Sequence, residues 1–229
     1  MIAVTFALPE ESKDFIAKLD ASRTVKRGAL PVISGELHGK QIVICHTGVG
    51  EESCLRQIEP FLRLFAPAVL VTSGFAGGLD PGLSVGDVLI GQNFTHADVA
   101  AKINLPHASR GKMTTQARVV ESVAEKRALF AETGAAAVDM ETAVIFKECQ
   151  RCNIPTISLR GISDAAGDDL PVPFSIWFDT VKQEPRVGAL LRYLATHPAV
   201  IPRFTRFVRG ISLTRARLTD ALAALVARL

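Results

Sequence analysis

The apolar runs Ile2–Leu8, Gln41–His46, Ala68–Ser73 and Pro155–Arg160 are nearly continuous rather than alternating, and a glycine or proline ends each within two residues. A strand with no polar face must be covered on both sides, as in sheets sandwiched between helices. Pro31–Leu37, Asp87–Gln92 and Ala135–Val138 are further strand candidates. Helical periodicity marks Glu10–Leu19, Glu51–Phe65, Ser122–Thr133, Met140–Cys152 and the chain from Asp179 onward. Ser122 with Glu125 forms a capping box, and Gly134 is a natural stop. The turn His38-Gly39-Lys40 joins two runs as an early hairpin, so the sheet is mixed. The predicted fold class is α/β, a mixed central β-sheet flanked by helices on both faces, with extra C-terminal amphipathic helices. At 229 residues with no break in composition, one domain spans 1–229, with 179–229 as a helical C-terminal extension.

A content of 48% apolar and 21% charged residues leaves enough apolar side chains for a large core. No apolar run approaches the ~18 residues of a spanning helix. The N-terminus reaches Pro9-Glu10-Glu11 too early for a signal peptide. The four cysteines sit in apolar patterns, which points to a reduced, cytoplasmic setting. Cys149-Gln150-Arg151-Cys152 has redox spacing but falls at a helix C-terminus, where the dipole disfavours a thiolate. The five histidines show no paired ligand spacing, so no metal is expected.

Net charge is +3, unevenly placed: from Pro198 to the end there are six arginines and one acid, Asp220. Phe204, Phe207 and Ile211, then Leu218, Leu222, Leu225 and Leu229, recur at helical spacing and predict two amphipathic helices. These are either solvated helices packed on the domain or a peripheral contact with an anionic membrane surface. Nucleic acid is excluded as a partner, because no aromatic stacking platform accompanies the arginines.

Ligands of helix-covered sheets sit at the carboxyl ends of the strands. Glu11, Gly48–Gly50, Gly74–Gly78, Met140-Glu141 and Ser163-Asp164 all fall there, which argues for one site. Each has a plainer structural reading: Glu11 as a solvent-facing residue of the helix turn that Pro9 starts, Glu141 and Asp139 as helix N-terminal charges, Asp164 as a cap or Asx turn.

Thr72-Ser73-Gly74-Phe75-Ala76-Gly77-Gly78-Leu79, Val138-Asp139-Met140-Glu141 and Arg160-Gly161-Ile162-Ser163-Asp164 together resemble the nucleoside phosphorylase and nucleosidase superfamily. The likeness covers roughly Met1 to Asp169 and is similar in detail to methylthioadenosine/adenosylhomocysteine nucleosidases. It implies cleavage of the N-ribosidic bond of a purine nucleoside, adenine foremost, with a 5′ substituent. Such a reaction passes through a cationic sugar and needs an acid for the departing base, a grip on the ribose and a nucleophile. By the resemblance, Asp164 beside Ser163 gives a proton to purine N7, and Glu141 accepts from the ribose hydroxyls. Met140 lies against sugar or base, and Glu11 of Ala7-Leu8-Pro9-Glu10-Glu11 positions the attacking water. Gly50, Phe75 and Gly77 complete the substrate-binding set.

Phosphorolysis, with phosphate as co-substrate, is the alternative. It is disfavoured because Thr72 and Phe75 stand where phosphorylases bring an arginine and a small hydroxyl to phosphate. Arg23, Arg27 or Arg56 would have to supply the missing charge. A stretch in the middle, Thr115–Thr142, and the tail around Leu170-Pro171 and Pro198–Arg209 resemble the hopanoid-associated phosphorylases, which implies an adenosylated hopanoid as one candidate substrate. No cofactor is implied; the partners expected are a small nucleoside and a second copy of the chain, a homo-oligomer with a dimer foremost. A non-catalytic nucleoside-binding module would not need Glu11 or Asp164.

Overall fold

The computed structural model describes residues 1–28, 30–100 and 103–229. In chain order the elements are β1 (Ile2–Phe6), α1 (Pro9–Ile16), β2 (Asp20–Arg27), β3 (Leu30–Leu37), β4 (Lys40–His46), α2 (Glu51–Phe65), β5 (Val69–Gly78) and β6 (Val88–Gly91). There follow α3 (Ala97–Ala100), β7 (Ala108–Gly111), β8 (Met113–Thr115), α4 (Val123–Thr133), β9 (Ala137–Asp139), α5 (Thr142–Arg151) and β10 (Thr156–Asp164). The chain ends with α6 (Phe174–Trp177), β11 (Phe178–Asp179), β12 (Glu184–Pro185), α7 (Val187–Thr196) and α8 (Ile201–Arg228).

Among the described residues, ten strands form one mixed sheet in the order β2-β3-β4-β1-β5-β10-β6-β7, with β9 pairing both β5 and β8. The central strands β4, β1, β5 and β10 are parallel neighbours, while β2-β3-β4 is an antiparallel meander. The expected hairpin closes at His38-Gly39, both at positive φ, with Leu37 opposite Lys40.

The uninterrupted apolar runs are explained by which face each residue serves. In β1 and β4, Ile2, Val4, Phe6, Ile42 and Ile44 join a core completed by Phe15 of α1 and by Leu218, Leu222, Leu225 and Val226 of α8. Ala3, Val43 and Cys45 point the other way, onto Cys54, Ile58 and Phe61 of α2 and Ile145 and Cys149 of α5. Helices thus cover both faces, as the sequence required.

Three expectations need correction. Gly74–Gly78, expected beyond the end of the strand Ala68–Ser73, is itself strand: β5 runs through it, and Gly77 and Gly78 pair with Val138 and Ala137 of β9. Cys152 is exposed at a helix end rather than buried in an apolar pattern. The two helices expected after Pro198 are one helix of 28 residues. Its C-terminal half belongs to the main core, whereas from Ile201 to Leu213 no residue is buried.

Candidate active site

The carboxyl ends of β1, β4, β5, β9 and β10 surround a cavity of about 540 Å³. That is the size of a small-molecule site. Its polar end is lined by Glu11, Glu141, Ser163 and Asp164. Its other wall is apolar and aromatic, drawn from Phe174, Trp177 and Phe178 and from α7 and α8. Of the site residues named from sequence, Glu11, Phe75, Gly77, Met140, Glu141, Ser163 and Asp164 line this cavity. Gly50 does not; its backbone N–H donates to Glu141 Oε1 at 2.7 Å, so it holds the carboxylate rather than the ligand. Gly50 sits at φ +87°, a conformation side chains rarely adopt.

Glu11 is 8% exposed, not solvent-facing. Oε2 accepts from the N–H groups of Ala7 (2.9 Å) and Leu8 (3.1 Å), and Oε1 from that of Phe75 (3.0 Å). Pro9 starts α1 as expected, and the turn swings Glu11 inward over Gly74. A Cβ at Gly74, where φ is +144°, would stand 3.1 Å from Oε1. Burial raises the Glu11 pKa above its ordinary value, against the pull of the backbone donors and Arg160.

The alternative for Glu141, a helix N-terminal charge, falls to its neighbour. Asp139 accepts from Thr142 N and pairs with Arg160, whereas the Glu141 side chain makes no cap bond at the start of α5. Burial, and then the Asp139 charge, push the Glu141 pKa up from 4.5 to about 8. The folded protein therefore binds more protons than the unfolded chain between those values, and stability falls as pH rises from about 4.5 through 8. Glu141→Gln removes that slope. Urea midpoints at pH 5 and pH 9 should fall less in the variant than in the wild type; Glu11 titrates in both and cancels. Equal losses would mean that Glu141 is already ionised when the protein is folded.

Asp164 closes β10 beyond a register shift after Ile162, opposite Gly77. Ser163 Oγ donates to Oδ1 at 2.5 Å, and the Lys126 ammonium lies 2.5 Å from Oδ2. Lys126 is fully buried and also donates to Ala165 O (2.8 Å) and Asp168 O (2.7 Å). Asp164 is neither a helix cap nor an Asx turn. Lys126 puts a counter-charge behind the candidate acid; the sequence reading assigned it no role.

Arg160 was also missed, although it stands inside the motif that ends in Asp164. Buried, it donates through Nε to Asp139 Oδ2 (3.0 Å) and through Nη2 to Thr72 Oγ1 (2.9 Å) and Thr142 Oγ1 (2.6 Å), with Nη2 also 2.9 Å from Asp139 Oδ2 in the ion pair. Its Nη1 has no protein partner, and neither have Thr5 Oγ1 and Ser73 Oγ. All three residues line one small polar chamber of about 10 Å³, bordered by Glu11 and Glu141. Ala7, Glu11, Phe75 and Glu141 line both this chamber and the large cavity, so the two adjoin at these residues, Glu11 among them. The arginines considered for phosphate lie elsewhere: Arg27 packs over the Phe65 ring, Arg56 pairs with Glu52, and Arg23 is exposed on β2.

Residues 1–111 and 96–195 match the family described as the phosphorylase superfamily. The chain belongs to that superfamily. The 5′-methylthioadenosine/S-adenosylhomocysteine nucleosidase of Anoxybacillus flavithermus is 29% identical over 209 residues, 76% of this chain and 89% of that one. The solved nucleosidase of that name from Neisseria meningitidis, in complex with methylthio-immucillin-A, superposes with a TM-score of 0.69 and 24% identity, covering 100% of this chain and 99% of that chain. Futalosine hydrolase of Helicobacter pylori superposes with a TM-score of 0.72 and 18% identity, covering 100% and 97%. Both superpositions span the chain end to end.

Proposed function

We propose that this protein hydrolyses the N-ribosidic bond of a purine nucleoside, adenine foremost, whose ribose carries an apolar 5′ substituent. The observation that carries the reading is the pairing of a nucleoside-sized cavity with a polar chamber of about 10 Å³ behind Glu11. That volume suits one water molecule with two to four polar partners, and Thr5 Oγ1, Ser73 Oγ and Arg160 Nη1 are the unpartnered atoms around it. It does not suit a phosphate, which supports hydrolysis over phosphorolysis.

In this reading Asp164 passes to N7 of the departing base a proton taken from its Lys126 partner, which is left a neutral amine, so the base departs neutral. Glu141 accepts from the ribose hydroxyls and, when ionised, offsets the positive charge that develops on the sugar. Glu11 takes the proton of the attacking water while its three backbone donors hold it still. Met140 and Phe75 give the sugar and base an apolar wall. The nucleosidase relatives act on methylthioadenosine and adenosylhomocysteine by name; the aromatic and aliphatic wall here supports a larger apolar 5′ group, an adenosylated hopanoid being one such substrate.

The test is product analysis over a panel of 5′-substituted adenine nucleosides, with and without phosphate. Free adenine and free sugar at a phosphate-independent rate are expected. A sugar 1-phosphate would replace hydrolysis by phosphorolysis, and tight binding without turnover would reduce the protein to a nucleoside-binding module.

A further inference from the structure

The apolar wall of the cavity is built by helices that are themselves unburied. No residue of α7 is buried, although its sequence Val187-Gly-Ala-Leu-Leu-Arg-Tyr-Leu-Ala-Thr196 is mostly apolar. Val187 is 58% exposed, Leu191 61%, and Val208 of α8 45%; Val181, in the turn between β11 and β12, is 86% exposed. Leu190, Phe204, Phe207 and Val208 line the cavity from within. Val208 therefore belongs both to the cavity wall and to the exposed face, so the apolar interior opens onto an apolar lip.

The segments that form that lip carry an excess of positive charge. From Thr180 to Leu213 there are six basic residues, Lys182, Arg186, Arg192, Arg203, Arg206 and Arg209, against the single acid Glu184. Arg186 and Arg203 have carboxylates within reach, in Asp179 (3.6 Å) and Asp169 (3.9 Å). Among the described residues, Lys182, Arg192, Arg206 and Arg209 have no ion-pair partner.

We propose that this face docks peripherally on an anionic bilayer leaflet, so that the cavity mouth meets the lipid phase. Exposed aliphatics seat in the interfacial region while the arginines of these segments pair with headgroups. A second copy of the chain fits the face less well: a two-fold contact would set the same excess of basic residues against itself. No helix among the described residues is long and apolar enough to cross a membrane, so the contact is one of surface docking. Docking stands on the face alone. What it delivers, an apolar 5′ substituent passing from the leaflet into the cavity, rests on the proposed function.

Truncating the tail is no test, because the C-terminal half of α8 completes the core. The full chain should instead be sedimented with vesicles of phosphatidylcholine alone and with phosphatidylglycerol added, at 0.05 and 0.5 M salt. Binding is expected only to the anionic vesicles and should weaken at the higher salt, as the Debye length shortens. Replacing Arg192, Arg206 and Arg209 by alanine should cost about a hundredfold in partitioning, at roughly fivefold per basic residue. Val187→Ser with Leu191→Ser should also weaken it, and neither set should change turnover of a small soluble nucleoside. Absence of binding to anionic vesicles at low salt overturns the proposal, as does equal binding to neutral ones. So does a concentration-dependent dimer, seen in analytical ultracentrifugation without lipid, that the Val187/Leu191 variant dissociates. Vesicle binding by a protein inactive on every nucleoside would leave docking standing and overturn the proposed function instead.

Discussion

Glu11→Gln is expected to lower kcat about 10²–10⁴-fold while leaving nucleoside binding in place. An ionised carboxylate has roughly four acceptor sites. Three of those on Glu11 are taken by Ala7, Leu8 and Phe75 N–H groups, which leaves one to receive a proton from water in the adjoining chamber. The amide keeps the shape and loses the base. Its Oε1 can still satisfy the Ala7 and Leu8 donors, but its NH₂ then faces the Phe75 N–H. That mismatch of two donors costs about 1–3 kcal/mol locally. The measurement is kcat beside calorimetric binding of a non-hydrolysable nucleoside analogue, with circular dichroism to establish the fold. Because burial raises the pKa of Glu11 and puts that of Glu141 at about 8, both carboxylates ionise as pH rises. Wild-type kcat/KM should therefore climb with pH on its acid side, and the part due to Glu11 should vanish in the variant. Wild-type-like turnover by folded Glu11→Gln would take water activation away from this residue.

Asp164→Asn should cost a similar 10²–10⁴-fold in kcat, because an amide cannot relay a proton from the Lys126 ammonium to N7. The structure adds a second effect. The Lys126 ammonium, fully buried and 2.5 Å from the carboxylate, loses its counter-charge. Breaking a buried ion pair by removing one partner costs about 3–5 kcal/mol. The bonds from Lys126 to Ala165 O and Asp168 O remain, which places the expected loss near the lower end, about 3 kcal/mol. Asp164→Asn with Lys126→Met removes the stranded charge as well, and should recover part of the lost stability with none of the lost rate. Urea midpoints and kcat for the four proteins of this cycle separate the two roles. Full activity in the single variant would end the acid assignment. A double variant no more stable than Asp164→Asn would show that the ion pair is not what holds the β10 end in place.

The site was legible where chemistry and local structure share a short segment. Glu11 and Glu141 follow a strand by a few residues, Asp164 ends one, and all three strands pair with β5, so the three residues had to meet. The tertiary structure decides between the alternatives: Asp139 and Glu141 are two residues apart, and only the hydrogen bonds say that the first serves the helix and the second the cavity. Arg160 and Lys126 carried no signal of their own. An arginine in an apolar run and a lysine on a capped helix are ordinary in sequence. What makes them matter is burial beside a carboxylate contributed by a segment 21 or 38 residues away.

Uninterrupted apolar strands, spaced by helical periods and ended by glycine, proline or carboxylates, determined a helix-covered sheet and the side of it on which chemistry could lie. Such patterns are local consequences of backbone geometry and burial, so the chain alone carries them. The tertiary structure decided which charges face each other, that Gly74–Gly78 continues a strand because β9 is there to pair with it, and that α8 is half core and half exposed lip. It also decided that two cavities meet at Glu11, one with room for a nucleoside and the other for a single water. Those are properties of side chains brought together from distant segments, where desolvation and packing set the outcome, and no stretch of sequence contains them.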